Sequence, residues 1–192
     1  MGRSAASRPL LQPTLPRSRT VLLLVDFINP LQFDGAEALA PPALQAAAAA
    51  AALKKTLAAR GVRAIYVNDN FGHWQSDFKA LLAGCRRQGG AAAKLARLLA
   101  PGPDDLTVLK PRHSAFLATP LDLLLTQMQT RELVICGLAT DLCVMFSAMD
   151  AFVRGYRLWL PEDCTAAESP AAKEAALQWM ACALKARRRA SL

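Results

Sequence analysis

The sequence has no apolar run long enough to span a bilayer. Its longest purely aliphatic stretch, residues 21–25, is far shorter than the roughly 20 residues that a transmembrane helix needs. Near the N-terminus, residues 1–20 contain arginines but no apolar core, so we expect no secretory signal. These absences exclude a membrane-protein class and predict a cytoplasmic protein.

Metal-binding and disulfide patterns are also missing. The chain has five cysteines and two histidines, with no CxxC pair and no Cys/His cluster at the spacing of a zinc site. An odd number of scattered cysteines does not favour a disulfide framework and is typical of a reducing compartment. We therefore expect no metal and no cofactor.

The net charge of +8 is concentrated at the two ends. Four arginines in residues 1–19 and four basic residues in 182–192 have no acidic neighbours there, and together they equal the whole excess. The intervening chain is neutral, whereas a nucleic-acid-binding domain usually carries its charge as a patch on the fold. The sequence thus predicts a basic, flexible arm at 1–19 and one domain at 20–189 with a basic C-terminal end. Binding of an acidic partner by the tails stays an alternative.

Continuous apolar runs alternate with amphipathic segments along this domain. Buried strands of parallel sheets read as continuous apolar runs, and helices as amphipathic ones. The pattern predicts a doubly wound, mostly parallel sheet with helices on both faces. The predicted strands are 20–27, 62–69, 105–110, 132–138 and 156–163. The segment 35–61 predicts a helix that begins near Pro41 and Pro42 and ends at Gly61. The other longer predicted helices are 119–130, with Thr119 as N-cap, 140–155, and 169–189, with Ser169 as N-cap.

Reactive side chains follow several of these strands. Asp26, Asp69 and Lys110 end the first three, and Cys143 lies in the first turn of the helix after the fourth. Ligands of open α/β sheets bind outside the carboxyl ends of the strands, so these groups are expected to converge. An ammonium and a helix N-terminus both lower the pKa of a thiol, which favours a nucleophilic Cys143. Alternatively, Asp26 caps a loop, Lys110 extends to solvent, and Cys143 is a small core residue.

Three segments resemble the motifs of the isochorismatase-like cysteine hydrolases, which include nicotinamidases and N-carbamoylsarcosine amidohydrolase. "LLLVDFIN" contains Asp26, "LKPRHSAF" contains Lys110 and the SAF element, and "GLATDLCV" contains Cys143. The resemblance implies a three-layer α/β/α sandwich around a six-stranded sheet with Rossmann-type topology. It further implies a catalytic Asp26–Lys110–Cys143 triad and a cis peptide between Leu138 and Ala139.

The same resemblance implies cleavage of an amide or carbamoyl C–N bond of a small molecule through a thioester on Cys143. The backbone N–H groups of Ala139 and Cys143 would form the oxyanion hole. We expect the substrate pocket to be walled by five residues, each of which could instead be ordinary core: Phe27, Asn70, Trp74, Phe116 and Leu138.

The chain departs from the nicotinamidase pattern at the metal site. If Asp69 aligns with the metal-binding aspartate of those enzymes, Phe71 takes the place of a histidine. His73 could pair with Asp69 on a metal, but two protein ligands make a poor site. Isochorismatase-type activity, nicotinamidase activity and a non-catalytic oligomeric binding protein stay as alternatives. The family commonly forms dimers or tetramers, so we also expect a homo-oligomer.

Overall fold

A computed structural model describes residues 15–75 and 77–191. Six parallel strands form one sheet: β1 (Thr20–Val25), β2 (Arg63–Asp69), β3 (Leu106–Lys110), β4 (Glu132–Leu138), β5 (Arg157–Trp159) and β6 (Thr165–Ala166). The order across the sheet is β3-β2-β1-β4-β5, and β6 pairs with β4 beyond the end of β5. The predicted doubly wound, mostly parallel six-stranded sheet is confirmed.

Helices cover both faces of this sheet. They are α1 (Ala36–Ala58), α2 (Phe78–Gln88), α3 (Gly90–Leu98), α4 (Leu121–Gln127), α5 (Met145–Val153) and α6 (Pro170–Ala183). Successive side chains of β1 point to opposite faces, because the side-chain period of a strand is two. Leu22 and Leu24 pack in the core beneath α1, α2 and α3, whereas Val21 and Leu23 pack in the core beneath α4, α5 and α6. The molecule is a three-layer α/β/α sandwich.

Helix α1 begins earlier than the sequence predicts. The prolines at 41 and 42 were expected near its start, but the helix begins at Ala36, and Gly35 precedes it in the left-handed region at φ 90°. Both prolines therefore lie inside the helix. The glycine supplies the turn, since this backbone conformation is costly for residues with a Cβ.

Two other elements also have boundaries that differ from the predicted ones. Helix α4 begins at Leu121 with Pro120 as N-cap, and Thr119 lies one residue further back. Its hydroxyl accepts a hydrogen bond from the Leu121 N–H and donates one to the carbonyl of Ala115. Ser169 does cap α6, as predicted, by accepting from the Ala172 N–H. The fifth strand is shorter than predicted.

The basic C-terminal end packs on the fold. The backbone of Arg187 pairs with β5 beside Trp159, whose indole N–H donates to the carbonyl of Arg189. Arg187 pairs with Glu132, and Arg188 lies 3.1 Å from Glu162 and 2.7 Å from Glu174. The C-terminal end is therefore attached to the domain, because these arginines find acidic partners from distant parts of the chain.

The predicted N-terminal arm lies mostly outside the described residues. Its last part is attached, since Ser18 is buried and its N–H donates to the carbonyl of Met128. None of the helices in residues 15–75 and 77–191 is long and apolar enough to cross a membrane.

Candidate active site

Three strands deliver the reactive groups to one edge of the sheet. Asp26 directly follows β1 at φ 51°, Lys110 is the last residue of β3, and Cys143 lies in a π-helical turn, Thr140–Val144, that follows β4. The strands are parallel, so their carboxyl ends lie at the same edge. Residues far apart in sequence therefore meet there.

Lys110 stands at the centre of this group. Its side chain is 0% exposed, and its Nζ lies 2.9 Å from Asp26 Oδ2 and 3.3 Å from Asp69 Oδ2. The same Nζ lies 3.5 Å from the Sγ of Cys143. Asp26 accepts a further hydrogen bond of 2.7 Å from the Asp69 N–H. An acid, an ammonium and a thiol are thus in mutual contact.

Burial controls the electrostatics of the three groups. Burial raises the pKa of Asp26, against the opposing effect of the Lys110 ammonium and the hydrogen bond from Cys143. Burial and the negative charge of Asp26 raise the pKa of the Cys143 thiol, and Lys110 offsets this only in part. Burial alone would lower the pKa of Lys110, but Asp26, Cys143 and Asp69 raise it overall. The ammonium is therefore retained at neutral pH.

The raised pKa of the Cys143 thiol corrects the sequence-based expectation that this pKa would be lowered. Proximity to an ammonium was expected to favour the thiolate, but desolvation and the adjacent carboxylate outweigh it. The resting thiol is protonated, and a carboxylate with a raised pKa, Asp26, contacts it. A raised pKa makes Asp26 a stronger base than an ordinary aspartate.

The segment before Cys143 has an unusual backbone. The peptide bond between Leu138 and Ala139 is cis, where the family resemblance puts it. The carbonyl of Ala139 accepts hydrogen bonds from the N–H groups of Leu142 and Val144, at 3.1 and 3.2 Å, which ties this segment to the π-helical turn. A Cβ at Gly137 would overlap the carbonyl oxygen of Val25, so only glycine allows β1 and β4 to approach here.

A cavity of about 450 Å³ opens onto the thiol. Its lining residues come from the ends of the strands and the loops after them, the π-helical turn, the segments before α1 and α6, and α1 itself: Asp26, Asn29, Phe33, Asp34, Leu39, Asp69, Phe71, His113, Leu138, Ala139, Leu142, Cys143 and Glu168. A volume in this range suits a small-molecule ligand.

Of the five expected pocket residues, only Leu138 lines this cavity. Phe27 and Phe116 are buried in the cores of opposite faces, because their side chains complete the packing against the helices. Trp74 is 79% exposed on the loop after β2. Asn70 is buried, and its carboxamide oxygen accepts from the Gly72 N–H to form a turn. The structure does not place these four side chains on the wall of this cavity, and a role for them in binding substrate stays a prediction.

Several cavity residues were missed by sequence reasoning. The Nδ1 of His113 lies 3.8 Å from the Cys143 Sγ, and Asn29 lines the wall three residues after Asp26. Both occur inside the quoted motifs, so their position in sequence was an available signal. Asp34 and Glu168 come from the loops before two helices, and no motif marks them.

Comparison with known proteins places the chain in a family. The sequence model of the Isochorismatase domain matches residues 20–188. The chain belongs to the isochorismatase family. It is 36% identical, over 86% of its length and 91% of the relative's, to YaaI of Bacillus subtilis, an uncharacterised isochorismatase family protein. With its amidohydrolase relatives, this membership identifies the protein as a hydrolase.

Two further similarities concern proteins with named activities. Ureidoacrylate amidohydrolase RutB of Cronobacter sakazakii is 41% identical over 91 residues, which cover 47% of this chain and 39% of the relative. The crystal structure of a Staphylococcus aureus nicotinamidase superposes with a TM-score of 0.70 at 21% identity, covering 90% of this chain and 98% of the other. The second similarity concerns the fold.

The residues of this isochorismatase-family hydrolase do not fit the metal site of nicotinamidases. Asp69 is held by Lys110 and by the Phe71 N–H, which donates to its Oδ1 at 2.6 Å. His73 lines a neighbouring cavity and not that of Cys143. Within the described ranges, no group of three His, Cys, Asp or Glu side chains could hold a metal ion.

The other four cysteines of the hydrolase lack such surroundings. All five cysteines are free, and only Cys182 is exposed. Cys85 adjoins Arg86 and Arg87 in sequence, but burial raises the pKa of its thiol. Cys136 and Cys164 are buried in the core beneath α1. Cys143 is the cysteine that contacts both an acid and an ammonium.

Proposed function

We propose that the protein hydrolyses an amide or carbamoyl C–N bond of a small molecule through a thioester on Cys143. The observation that supports this most is the contact of Lys110 with both Asp26 and Cys143, at 2.9 and 3.5 Å, beneath a cavity of ligand size. The names of RutB and of the nicotinamidase describe amide hydrolysis and agree with this reaction class.

The first half-reaction begins with proton transfer. Asp26 takes the thiol proton while Cys143 Sγ attacks the substrate carbonyl carbon, and Lys110 stabilises the resulting negative charge. The carbonyl oxygen becomes an oxyanion against the backbone N–H groups of Ala139 and Cys143. One such donor contributes about 3–4 kcal/mol in the transition state. Asp26 then gives its proton to the leaving nitrogen as the C–N bond breaks, which leaves the thioester.

The second half-reaction returns the enzyme to its starting state. The ionised Asp26 accepts a proton from water, whose oxygen attacks the thioester carbonyl. Collapse of the tetrahedral intermediate breaks the C–S bond, and Asp26 returns the proton to Cys143. The products are a carboxylic acid and ammonia or an amine, and protons and electrons balance with water as the only co-reactant.

Ammonia release from a panel of small primary amides tests the proposal. The wild-type protein is expected to release ammonia, and Cys143→Ala is expected to lose this activity. Cys182→Ala is the matched control, because it removes an exposed thiol on α6 far along the chain from the site. Equal activity of Cys143→Ala and the wild type would contradict the proposed nucleophile.

A further inference from the structure

The cavity above Cys143 is lined by negative charge. Carboxylates from four places in the chain reach its wall: Asp26, Asp34, Asp69 and Glu168. Among the described residues no lysine or arginine lines it, and the nearby Lys110 is buried and shared between Asp26 and Asp69. A substrate carboxylate would therefore meet like charge here, although the chain as a whole carries +8.

The two outer carboxylates have no partner in the described part of the chain. Asp34 and Glu168 are exposed, and within residues 15–75 and 77–191 neither makes an ion pair or a hydrogen bond. The Glu168 carboxylate lies directly against Gly35, since a Cβ there would come within 2.5 Å of its oxygens. Its charge lies against the start of α1, where a helix dipole stabilises an anion. A cationic group of a ligand would supply the missing partner.

Asn29 supplies a hydrogen-bond donor to the same cavity. Its side chain belongs to a residue that is only 7% exposed, and its Oδ1 accepts a 2.8 Å hydrogen bond from the Leu31 N–H. That bond identifies the oxygen, so the remaining group on the cavity side is the Nδ2 amide. In the described part of the chain this amide donates to nothing. The Nδ2 is not among the fully buried polar atoms that lack a partner, so it retains solvent contact, and a substrate oxygen would accept its hydrogen bond in place of solvent.

Aromatic rings complete the wall. Phe33 and Phe71 line the cavity while remaining 42% and 38% exposed. The backbone of Phe71 is held by its N–H, which donates to Asp69, and lies in the left-handed region. Exposed aromatic faces beside carboxylates attract organic cations.

We propose that the substrate is a small amide or carbamoyl compound whose other end carries an organic cation. Asn29 Nδ2 donates to a substrate oxygen near the scissile bond, and Asp34 and Glu168 receive the cation. This rests on the proposed function, and it names the substrate class for the same site. Anionic amides are then poor substrates.

Three primary amides of similar length test the charge preference. They are 4-aminobutanamide, which is cationic, pentanamide, which is neutral, and succinamate, which is anionic. We expect kcat/KM for ammonia release to fall in that order, with at least about a tenfold difference between cation and anion. The preference should weaken at high ionic strength, because salt screens partly exposed charges.

Variants separate this effect from general damage. Asp34→Asn and Glu168→Gln should each lower the ratio of kcat/KM for the cation over the neutral amide, by about tenfold in the double variant. Glu37→Gln is the matched control, because Glu37 is an exposed acid in the first turn of α1 that does not line the cavity. A ratio that is unchanged in the double variant would overturn the proposal.

Chemical labelling tests the same preference without turnover. Aminoethyl, hydroxyethyl and sulfonatoethyl methanethiosulfonates carry positive, zero and negative charge. Their rates at Cys143, read by mass spectrometry and divided by the rates with 2-mercaptoethanol, should fall in that order. The order should flatten in the Asp34→Asn/Glu168→Gln variant. If the anionic reagent matches the cationic one in the wild type, the charge inference is wrong.

The two arms distinguish the two proposals. Charge-selective labelling without hydrolysis of any amide would refute the proposed function and leave the charge preference standing. Hydrolysis that requires Cys143 but proceeds at the same rate for cationic, neutral and anionic amides would refute the charge preference and leave the proposed function standing.

Discussion

Replacing Lys110 with methionine removes a buried ammonium that holds two carboxylates. Its Nζ lies 2.9 Å from Asp26 and 3.3 Å from Asp69, and its side chain is 0% exposed. At an effective dielectric constant of 20, a pair at the shorter distance is worth about 6 kcal/mol before desolvation is subtracted. Breaking a buried pair on one side typically costs about 3–5 kcal/mol. We expect Lys110→Met to lower the free energy of unfolding by this amount at pH 8.

The loss of unfolding free energy caused by Lys110→Met should be larger at high pH than at low pH. Burial already raises the pKa of Asp26, and loss of the ammonium raises it further. Between the unfolded and folded pKa values the native state then binds more protons than the unfolded state. The stabilisation that comes from protonated Asp26 is present at low pH and is lost as the pH rises through the folded pKa. The deficit of Lys110→Met should therefore shrink between pH 8 and pH 5.

Urea denaturation at both pH values, followed by circular dichroism, measures this. Lys54→Met is the matched control, because Lys54 pairs with Asp105 in a site that retains some solvent contact. Its cost should be about 1 kcal/mol at either pH. A loss below about 1 kcal/mol for Lys110→Met, or a deficit that does not change with pH, would refute the account of the buried cluster.

Three further changes test other parts of the structure. Asp26→Asn should slow alkylation of Cys143 by iodoacetamide about a hundredfold, because it removes the general base. In the wild type, the alkylation rate should fall as the pH is lowered, and this fall should begin at a pH above the ordinary pKa range of aspartate, because burial raises the pKa of Asp26. Gly137→Ala should lower the free energy of unfolding by about 3 kcal/mol, measured by thermal denaturation, because its Cβ would overlap backbone. Trp159→Ala should cost about 3–5 kcal/mol in urea denaturation and Arg188→Ala less than about 1 kcal/mol, because packing outweighs exposed ion pairs.

Each of these has a result that counts against it. Undiminished alkylation in Asp26→Asn would mean that another group deprotonates the thiol. Gly84→Ala is the glycine control, since nothing lies within 4 Å of its added Cβ, and equal effects at both glycines would remove the steric argument. A larger loss from Arg188→Ala than from Trp159→Ala would make the C-terminal attachment electrostatic.

The sheet could be predicted because its strands are continuous apolar runs. β1, β2, β3 and β4 all occur close to the predicted positions, and their parallel order places Asp26 and Lys110 at one edge. The start of α1 could not be predicted from its prolines, because buried residues on both sides of them, such as Leu39 and Ala43, pack the helix against the sheet. The two residues of β6 are too few to show a periodic pattern.

The chemistry of the site was less predictable than its location. The residues at and just after the end of a strand can be identified from the local sequence. Cys143, which follows β4, could therefore be found from its sequence context. Its pKa depends on burial and on the balance between Asp26 and Lys110, which is a property of the packed structure. The wall of the cavity comes from loops such as those of Asp34 and Glu168, whose positions follow from the packing of α1 and α6. The single-domain boundary at 20–189 and a homo-oligomeric state stay predictions.

An acyl adduct on Cys143 would be the thioester intermediate itself. Wild-type protein is mixed with a primary amide that it hydrolyses, quenched in acid, digested and analysed by mass spectrometry. We expect the peptide containing Cys143 to gain the mass of the amide minus ammonia, and the peptide containing Cys182 to gain nothing. Ammonia release with no acyl group on Cys143 at any quench time, together with full activity of Cys143→Ala, would contradict it.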